Sequence, residues 1–471
     1  MKNPMALRLI PALLAVTFSG VAGASGFQLM EQNASGLGVA FAGSAAVAAD
    51  ASTIYWNPAG MAFLPKGKMQ VVGSLNFVEP YAQFSDNNSI MPAGIYTRGD
   101  DGGDGGGWAV VPALYFAMPL NEQISIGLGI NGPFGMATEY DQGHSANWIG
   151  RFRAVKSDVK AMNINPSISY QVNETVSLGF GVSASKLDGT FTNAVNVSGA
   201  LCSRFGAAAC GPNGPLKDLE GFGEIKGDDW GYGWNIGMIF QPSPQTRIGA
   251  SYRSAISYKL NGNVEFSRPV VTTLPPQQNA LANAAIAASL YNGGVTSTVK
   301  LPDTAILSLW QQLGDRWELM GDISWTGWSK IQELKFDRTD GLAAGSTLSN
   351  THENWRNTWR VALGGAYAVN DEWKVRAGLA YDQTLIDATE YRTPRLPDND
   401  RTWLTFGAQY KPSKDLWFDA GYAHVFVKDA DINDSGGMNA TQAQNVGAYG
   451  WLKGSYQNNV NIIAVQATYN F

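Results

Sequence analysis

The feature that most constrains this chain is the alternation of apolar with polar or small side chains along many of its segments. Successive side chains of a β-strand point to opposite faces, so a period of two is typical of strands. The pattern occupies residues 317–325, 359–367 and 373–381. In the final segment, one face carries Ile463, Val465, Ala467, Tyr469 and Phe471. This alternation predicts an all-β protein.

The aromatic residues at the ends of these segments distinguish a membrane barrel from a soluble β-sandwich. Trp317 and Trp325 bracket one apolar face, and Trp373 and Tyr381 bracket another. Eight residues at roughly 3.3 Å each extend about 26 Å, and a tilt of about 40° reduces this to roughly 20 Å of height. That height is close to the apolar band between the two aromatic girdles of an outer-membrane barrel. We therefore predict a transmembrane antiparallel β-barrel, because a buried sandwich face has no reason to end in aromatic residues.

The composition agrees with a barrel and excludes other classes. Helical membrane spans are excluded because no run of about 18 apolar residues follows the N-terminal segment. The hydrophobic fraction of 45% and the mean hydropathy of −0.13 fit a barrel, in which lipid-facing and lumen-facing residues cancel. The 54 Gly, 15 Trp, 18 Tyr and 20 Phe favour the same reading. The net charge of −6 argues against nucleic acid as a partner.

Residues 1–24 have the features of a secretory signal peptide. Lys2 and Arg8 supply positive charge, residues 9–18 form a short apolar core, and small residues precede a cleavage position after Ala24. The core is too short to span a membrane as a helix. We expect the mature chain to be exported to the outer membrane of a Gram-negative bacterium.

Short and long connections alternate along the rest of the chain. About six short turns lie near residues 120–122, 173–174, 241–245, 314–315, 370–371 and 412–414, and about seven longer polar loops separate them. Short periplasmic turns and long outer loops are the usual asymmetry of outer-membrane barrels. This predicts about fourteen strands within residues 66–471, with a short Ala-rich helix at residues 277–290 inside one loop.

Residues 25–65 do not fit a strand and are expected to form a separate unit. Residues 35–38 and 41–44 are small, and residues 45–51 have the composition of a helical turn or two. The tract precedes the first strand, which we place at residues 69–79, so it begins on the periplasmic side. We expect this semi-apolar tract to fold into the lumen as a plug, or hatch.

The two cysteines, Cys202 and Cys210, lie in one polar, Gly-rich segment. Exported chains meet an oxidising compartment, so a disulfide that closes a loop is expected. The alternative is a two-cysteine metal site, which would lack nearby histidines. We expect no metal and no cofactor.

Short motifs follow one another in order along nearly the whole mature chain. They are SGFQL at residues 25–29, SGLG at 35–38, NPAGM at 57–61, TGWS at 326–329, WRVALG at 359–364 and PDNDRTWL at 397–404. Together these motifs resemble the FadL family of outer-membrane long-chain fatty-acid transporters, which includes TodX-like aromatic-hydrocarbon channels. The resemblance implies a fourteen-stranded barrel, an N-terminal hatch, and lateral diffusion through an opening made by a kink in the third strand. It also implies that the hatch motif Asn57-Pro58-Ala59 lies beside that kink, with an ordinary turn as the alternative.

The third strand, which starts at Ile124, contains such a defect at Gly132-Pro133-Phe134-Gly135. Proline has no N–H to donate to the ladder, and glycine has no side chain to pack. A closed barrel offers no free edge for this defect, and lipid cannot satisfy the lost hydrogen bonds. We therefore predict the lateral opening at these four residues. The alternative is a strand that simply ends before its loop.

A hydrophobic solute needs such a path because the outer leaflet presents a polar, charged lipopolysaccharide layer. Each buried methylene gains roughly 0.8 kcal/mol, so lateral exit into the membrane avoids returning that energy to water. The expected partners are hydrophobic small molecules, outer-membrane lipid and lipopolysaccharide, with the protein as a monomer. Long-chain fatty acids are the first candidate substrate, and oxidised fatty acids and aromatic hydrocarbons are the alternatives.

A fatty-acid carboxylate pairs best with a cation, and arginine has the most suitable geometry. By strand phase, Arg360 and Arg376 are expected to point into the lumen, and Lys186 is a third candidate. The alternative for each is a salt bridge within the lumen.

No catalytic motif is found, so no enzyme is expected. His144, His352 and His424 lie apart, without a nucleophile pattern around them. A general porin would lack the hatch, and a TonB-dependent receptor needs a larger plug and about twenty-two strands. A structural or adhesive barrel is the remaining alternative from another class.

Overall fold

The computed structural model of this protein describes residues 26–92, 96–140, 147–206, 209–210, 213–436 and 442–471. The predicted signal peptide, residues 1–24, and His144 lie outside these residues. Among the residues within them, no helix has the length and hydrophobicity needed to cross a membrane.

In the described residues, nineteen strand segments combine into fourteen antiparallel strands that close into one barrel, which confirms the predicted strand number. Nine strands are continuous: β1 Gln70–Asp86, β2 Ala109–Pro119, β3 Ile124–Glu139, β4 Lys156–Gln171, β5 Val176–Asn196, β6 Glu220–Ser243, β11 Trp373–Asp382, β12 Arg401–Tyr410 and β14 Leu452–Asn470. Five consist of two segments each: β7 Thr246–Arg253 and Ile256–Ser267, β8 Gly293–Leu301 and Thr304–Leu313, β9 Trp317–Thr326 and Glu333–Arg338, β10 Thr347–His352 and Thr358–Ala368, and β13 Leu416–Val427 and Ala430–Asp434. The ladder between β1 and β14 closes the cylinder.

Several strands extend well beyond the predicted ends. The strand β1 continues to Asp86, β6 already begins at Glu220, and β8 begins at Gly293, all within tracts that the sequence predicts as loops. Above the membrane both faces of a strand contact water or polar loops, so the apolar-polar alternation that identifies a strand disappears. The pairing itself continues, and β5 and β6 form a ladder that reaches from Val176 to Asn196.

The outer face carries the aromatic residues that the alternation assigned to lipid. Trp317 and Trp373 are about half exposed near the short turns. At the other end of the apolar band lie Trp234, Trp325, Trp359 and Tyr381, which we call the upper girdle. Between the girdles many of the outward residues are leucine, isoleucine and valine, such as Leu363 at 67% exposure. Exposed apolar side chains on this scale mark a lipid-facing surface.

Helices are few and short within the described residues. They are α1 Ala34–Leu37, α2 Thr53–Trp56, α3 Val197–Phe205, α4 Pro276–Ser289 and α5 Gln442–Tyr449, with 3-10 turns at Pro58–Phe63, Trp328–Lys330 and Thr389–Tyr391. The helix α4 confirms the Ala-rich helix predicted at residues 277–290. The helical turns predicted at residues 45–51 are wrong, because Ala48 adopts a φ of +47°, which a right-handed helix does not permit.

In the loop between β5 and β6, a disulfide joins Cys202 and Cys210. It links α3 to the connection that follows. This part of the loop packs on α4 through Leu201 and Ile286, which are both buried. The two outer loops thereby form one small apolar cluster above the barrel.

Candidate functional site in the barrel lumen

Residues 26–65, called the hatch below, lie inside the barrel. The N–H of Ala34 donates to Oε1 of Gln466 on β14 (3.1 Å), and Gln466 Nε2 donates to Asp50 Oδ2 (2.8 Å). On the opposite side, the N–H of Ala45 donates to Ser308 Oγ on β8 (3.1 Å). Because these contacts reach strands on both sides of the lumen, the hatch fills its cross-section at this level.

The motif Asn57-Pro58-Ala59 seats the hatch directly on the barrel wall. Asn57 Oδ1 accepts from the N–H of Ala59 (3.1 Å), and its Nδ2 donates to the carbonyl of Met238 on β6 (3.1 Å). A Cβ added at Gly237 would lie 1.9 Å from Asn57 Oδ1, so only glycine permits this contact. The structure therefore places the motif against β6 and its neighbour β5. The implied position beside the kink is wrong, because the kink contacts an earlier part of the hatch.

The strand β3 is distorted at Gly132 and Pro133. Its ladder with β4 shifts register there, and residues 132–133 together face only residue 162. Such a bulge reverses the phase of the strand beyond it. Asn131 and Phe134 accordingly both point into the lumen and are buried, although one position is odd and the other even. The strand bends but does not end, since its pairing with β4 continues to Glu139.

The opposite edge of β3 loses its partner at the same place. The strand β2 pairs with β3 only from Leu114 to Pro119, and its residues 109–113 pair with β1 alone. We call the space between residues 109–113 of β2 and residues 131–139 of β3 the wall gap. Above it, Gly105 bridges the two sides, because its N–H donates to Ala82 on β1 (2.8 Å) and its carbonyl accepts from Glu139 on β3 (2.9 Å).

The start of the hatch occupies the edge that β2 leaves free. The N–H of Leu29 donates to the carbonyl of Pro133 (2.9 Å), and the N–H of Gly135 donates to the carbonyl of Phe27 (2.8 Å). Gln32 Nε2 adds a bond to the carbonyl of Gly132 (2.8 Å). The hatch thus contributes a short extra strand that hydrogen-bonds to the backbone groups of the kink. The partner belongs to the hatch and not to a barrel strand, so this pairing is not part of the ladder that closes the barrel.

Next to this extra strand lies an apolar cavity of about 60 Å³, called the apolar pocket below. It crosses the lumen above the hatch and is lined by Phe27, Met136, Val159, Leu187, Gly189, Phe191, Leu260, Val299, Leu301, Ile331, Leu334, Glu353, Trp355, Arg395 and Leu396. Its volume is below the roughly 300–1,000 Å³ of typical small-molecule sites, so a long alkyl chain would also need a shift of the lining side chains. Phe27 belongs both to this lining and to the pairing that fills the wall gap.

Two charged residues interrupt the apolar lining, Glu353 and Arg395. Arg395 donates to Ser157 Oγ (2.9 Å) and to the carbonyl of Arg153 (3.1 Å), and its guanidinium lies over the Phe191 ring. Glu353 lies above the upper girdle, between the two segments of β10. Burial raises the pKa of Glu353 to about 8, and the nearby Arg395 opposes that rise. The pocket therefore holds a cation beside a carboxyl group that is mostly neutral at pH 7.

Arg395 also faces a second cavity, a vestibule of about 620 Å³ between the outer loops. It therefore marks the border between the vestibule and the apolar pocket. Sequence reasoning did not find it, because loop residues have no periodicity that indicates where they point. The only available signal is that Arg395 lies two positions before the PDNDRTWL motif.

The three cations that the sequence offered as carboxylate partners are differently placed. Arg376 pairs with Asp419 (2.6 Å) inside the lumen. Arg360 also points inward, and its Nη2 donates to the carbonyl of Ala40 in the hatch (2.7 Å). Both therefore support the alternative of a structural role in the lumen.

The prediction that Lys186 points into the lumen is wrong. On β5 the odd-numbered residues are buried and point inward, for example Ser183 and Ser185. Lys186 therefore lies on the outer face, with its Nζ 3.1 Å from Asp188 and 3.3 Å from Asp228. It does not reach the apolar pocket.

Comparisons with known proteins agree with this geometry. The sequence profile of a family described as "Outer membrane protein transport protein (OMPP1/FadL/TodX)" matches residues 15–471. The chain belongs to this family. It is therefore an outer-membrane protein that transports hydrophobic compounds, and it is not an enzyme.

Relatives with sequence similarity span nearly the whole chain. Outer membrane protein P1 of Haemophilus influenzae is 32% identical over 88% of this chain and 89% of its own length. The long-chain fatty acid transport protein of Salmonella typhi is 28% identical over 90% of this chain and 92% of its own length.

Two solved structures of the family share the fold. A Pseudomonas aeruginosa FadL homologue matches with a TM-score of 0.80 at 27% identity, covering 94% of this chain and 99% of the homologue. The Pseudomonas putida toluene transporter TodX matches with a TM-score of 0.62 at 17% identity, covering 89% and 94%. The second likeness supports the fold alone.

Proposed function

We propose that this protein carries long-chain fatty acids across the outer membrane by lateral diffusion. The observation that supports the proposal is one continuous arrangement: Arg395 lies at the border of the vestibule, the apolar pocket follows, and Phe27 lies where the pocket meets the wall gap. A fatty acid would place its carboxylate at Arg395 and its chain towards Phe27. The protein would act as a monomer, with lipid and lipopolysaccharide around its outer face.

The chemistry of the pocket suits an amphipathic ligand. Each buried methylene gains roughly 0.8 kcal/mol, so the alkyl chain supplies most of the affinity. A buried carboxylate is costly unless it is paired. Arg395 supplies the pairing charge, and Glu353 in its neutral form adds a donor without repelling the ligand.

Release would require the start of the hatch to leave the kink. Its two backbone hydrogen bonds and the Gln32 bond each contribute about 0.5–1.5 kcal/mol, so these three bonds supply roughly 1.5–4.5 kcal/mol. The buried Phe27 ring, which packs on Phe134 and Trp328, adds to this. Thermal motion or a bound ligand can supply energy of this size. Once the segment leaves, the apolar pocket would face lipid through the wall gap, and the ligand would exit without passing through water.

The carboxylate contact is tested by replacing Arg395 with methionine. Loss of a charge-assisted hydrogen bond costs about 1.5–3 kcal/mol, so we expect the affinity for oleate to fall roughly 10- to 150-fold. Hexadecane has no head group, and its binding should change little. Calorimetry on the purified protein measures both ligands, with Arg268→Met, at an exposed loop residue, as the control. An equal loss for both ligands would argue against the proposed contact.

Aromatic hydrocarbons are a second candidate substrate class. The observation that favours them is the group of three rings in the pocket lining, Phe27, Phe191 and Trp355. The two classes are separated by measuring uptake of oleate and of toluene in a deletion strain before and after this gene is restored. If toluene is taken up and oleate is not, the fatty-acid proposal is refuted.

Glu353 predicts a pH dependence of fatty-acid binding. Its pKa is raised to about 8, so the carboxyl is neutral below that pH and ionised above it. An ionised Glu353 would repel the ligand carboxylate and compete for Arg395. We expect oleate affinity to hold at pH 7 and to fall several-fold by pH 9, whereas Glu353→Gln should stay nearly level. A parallel decline in that variant would assign the titration to another group.

A further inference from the structure

The barrel has a second long break in its ladder, between β8 and β9. Thr304–Leu313 pairs fully with Trp317–Thr326. Above that stretch, the two strands pair again only at Thr296 and Val295, opposite Asp337 and Arg338. Residues 297–303 of β8 and residues 327–336 of β9 have no ladder between them. This unpaired stretch is longer than the five residues that β2 leaves unpaired at the wall gap.

Residues on both sides of this break line the apolar pocket. Val299 and Leu301 on β8 line the pocket, as do Ile331 and Leu334 on the β9 side. Val299 and Leu334 remain partly exposed. Apolar side chains, not backbone hydrogen bonds, therefore close the wall here. Such packing separates more easily than a ladder, because no buried backbone group loses its partner when it opens.

Both ends of the break are fastened. At the periplasmic end, Lys330 Nζ bonds Asp303 Oδ1 (2.6 Å), and the N–H of Gly327 donates to the carbonyl of Asp303 (2.9 Å). At the outer end, the N–H of Thr339 donates to the carbonyl of Gly294 (2.9 Å). The break begins two residues beyond Trp325 of the upper girdle, so it faces the polar head-group layer and not the hydrocarbon core.

We propose that the break between β8 and β9 is a second lateral port, through which acyl chains pass between the polar layer outside and the apolar pocket. The inference rests on the proposed function. A chain would enter tail first between Val299 and Leu334 and leave at the wall gap on the other side of the lumen. Lys300 is exposed on the outer face of the port and would attract the carboxylate.

The port predicts that a bulky group on its outer edge slows exchange without changing affinity. Thr298 is exposed on that edge, and both native cysteines are engaged in the disulfide, so Thr298→Cys can be labelled selectively. In nanodiscs, labelling with a polyethylene-glycol maleimide should slow association and dissociation of dansylated undecanoic acid several-fold and by equal factors. Blocking a route changes both rates alike and leaves Kd unchanged.

The matched control is Gln457→Cys, which is exposed on β14 within the continuous ladder to β1. The same label there should leave both rates unchanged. Conversely, Lys330→Met removes the ion pair at the periplasmic end and should accelerate both rates. If the Thr298 label and Lys330→Met leave the rates unchanged, the vestibule is the only entrance and the port is refuted. Absence of probe binding in the unlabelled protein would refute the proposed function, and the port with it.

Discussion

Deleting Pro133 is expected to abolish uptake while leaving ligand binding intact. The sum of paired residue numbers between β3 and β4 is 294 below the kink, as for Asn131 and Asn163, and 295 above it, as for Phe134 and Ala161. Removing one residue makes the two parts continuous. If the straightened β3 then forms two ladder bonds of about 1 kcal/mol each with β2 across the wall gap, opening becomes roughly 30-fold less frequent. Uptake of radiolabelled oleate by cells and calorimetry on the purified variant measure the two properties.

The control for this deletion is Pro133→Ala. It keeps the extra residue and therefore the bulge, so uptake should remain near that of the unchanged protein. If deletion of Pro133 leaves uptake intact, the wall gap is not the exit. If it removes oleate binding as well, the kink shapes the apolar pocket and does not serve as a gate.

The second large effect is expected when the hatch is removed. Without residues 26–65 the lumen loses the segment that fills its cross-section, so ion conductance in planar bilayers should rise many-fold. Saturable, selective uptake of oleate should disappear. An adhesive barrel, in contrast, would keep its binding because its outer loops remain. Retained heat-modifiable mobility on gels would show that the barrel itself still folds.

A point substitution tests the contact between the hatch and β6 without removing the hatch. Gly237→Val would place a side chain where Asn57 Oδ1 now lies, and such overpacking costs about 1–3 kcal/mol. We expect a lower melting temperature and a measurable rise in conductance. Gly365→Ala is the matched control, because its added Cβ would meet its nearest neighbours at 3.6 Å, an ordinary contact. Equal behaviour of the two variants would contradict the role assigned to Gly237.

The membrane-spanning part of the barrel was predictable from the sequence because lipid imposes a strict pattern. Outward residues between the girdles contact lipid and are therefore apolar. Aromatic residues such as Trp317 and Trp359 mark the ends of these apolar faces, so the strands can be recognised from the sequence. Above the membrane that constraint disappears. The sequence therefore does not indicate which residues in the outer half of β5 face the lumen. Lys186 was misplaced for this reason, since neither of its neighbours distinguishes lumen from solvent.

The lumen was less predictable, because its contacts join residues far apart in the chain. The motif Asn57-Pro58-Ala59 is recognisable, but nothing in its sequence indicates that it meets Gly237, 180 positions later. The kink at Pro133 could be predicted from the chemistry of proline alone. Its partner could not, because pairing with Leu29 depends on how the hatch enters the barrel. Arg395 lies in a loop, where no periodic pattern applies.

The contacts of the hatch with the first and last strands have a consequence for assembly. Gln70 on β1 accepts from the N–H of Ala51 and donates to Asn470 on β14, and Gln466 on β14 bonds both Ala34 and Asp50. The hatch, which precedes all the strands in the chain, is therefore anchored in part by residues that are synthesised last. We expect the hatch to remain without these contacts until the final hairpin is in place. During that interval we expect periplasmic chaperones to bind the unanchored hatch.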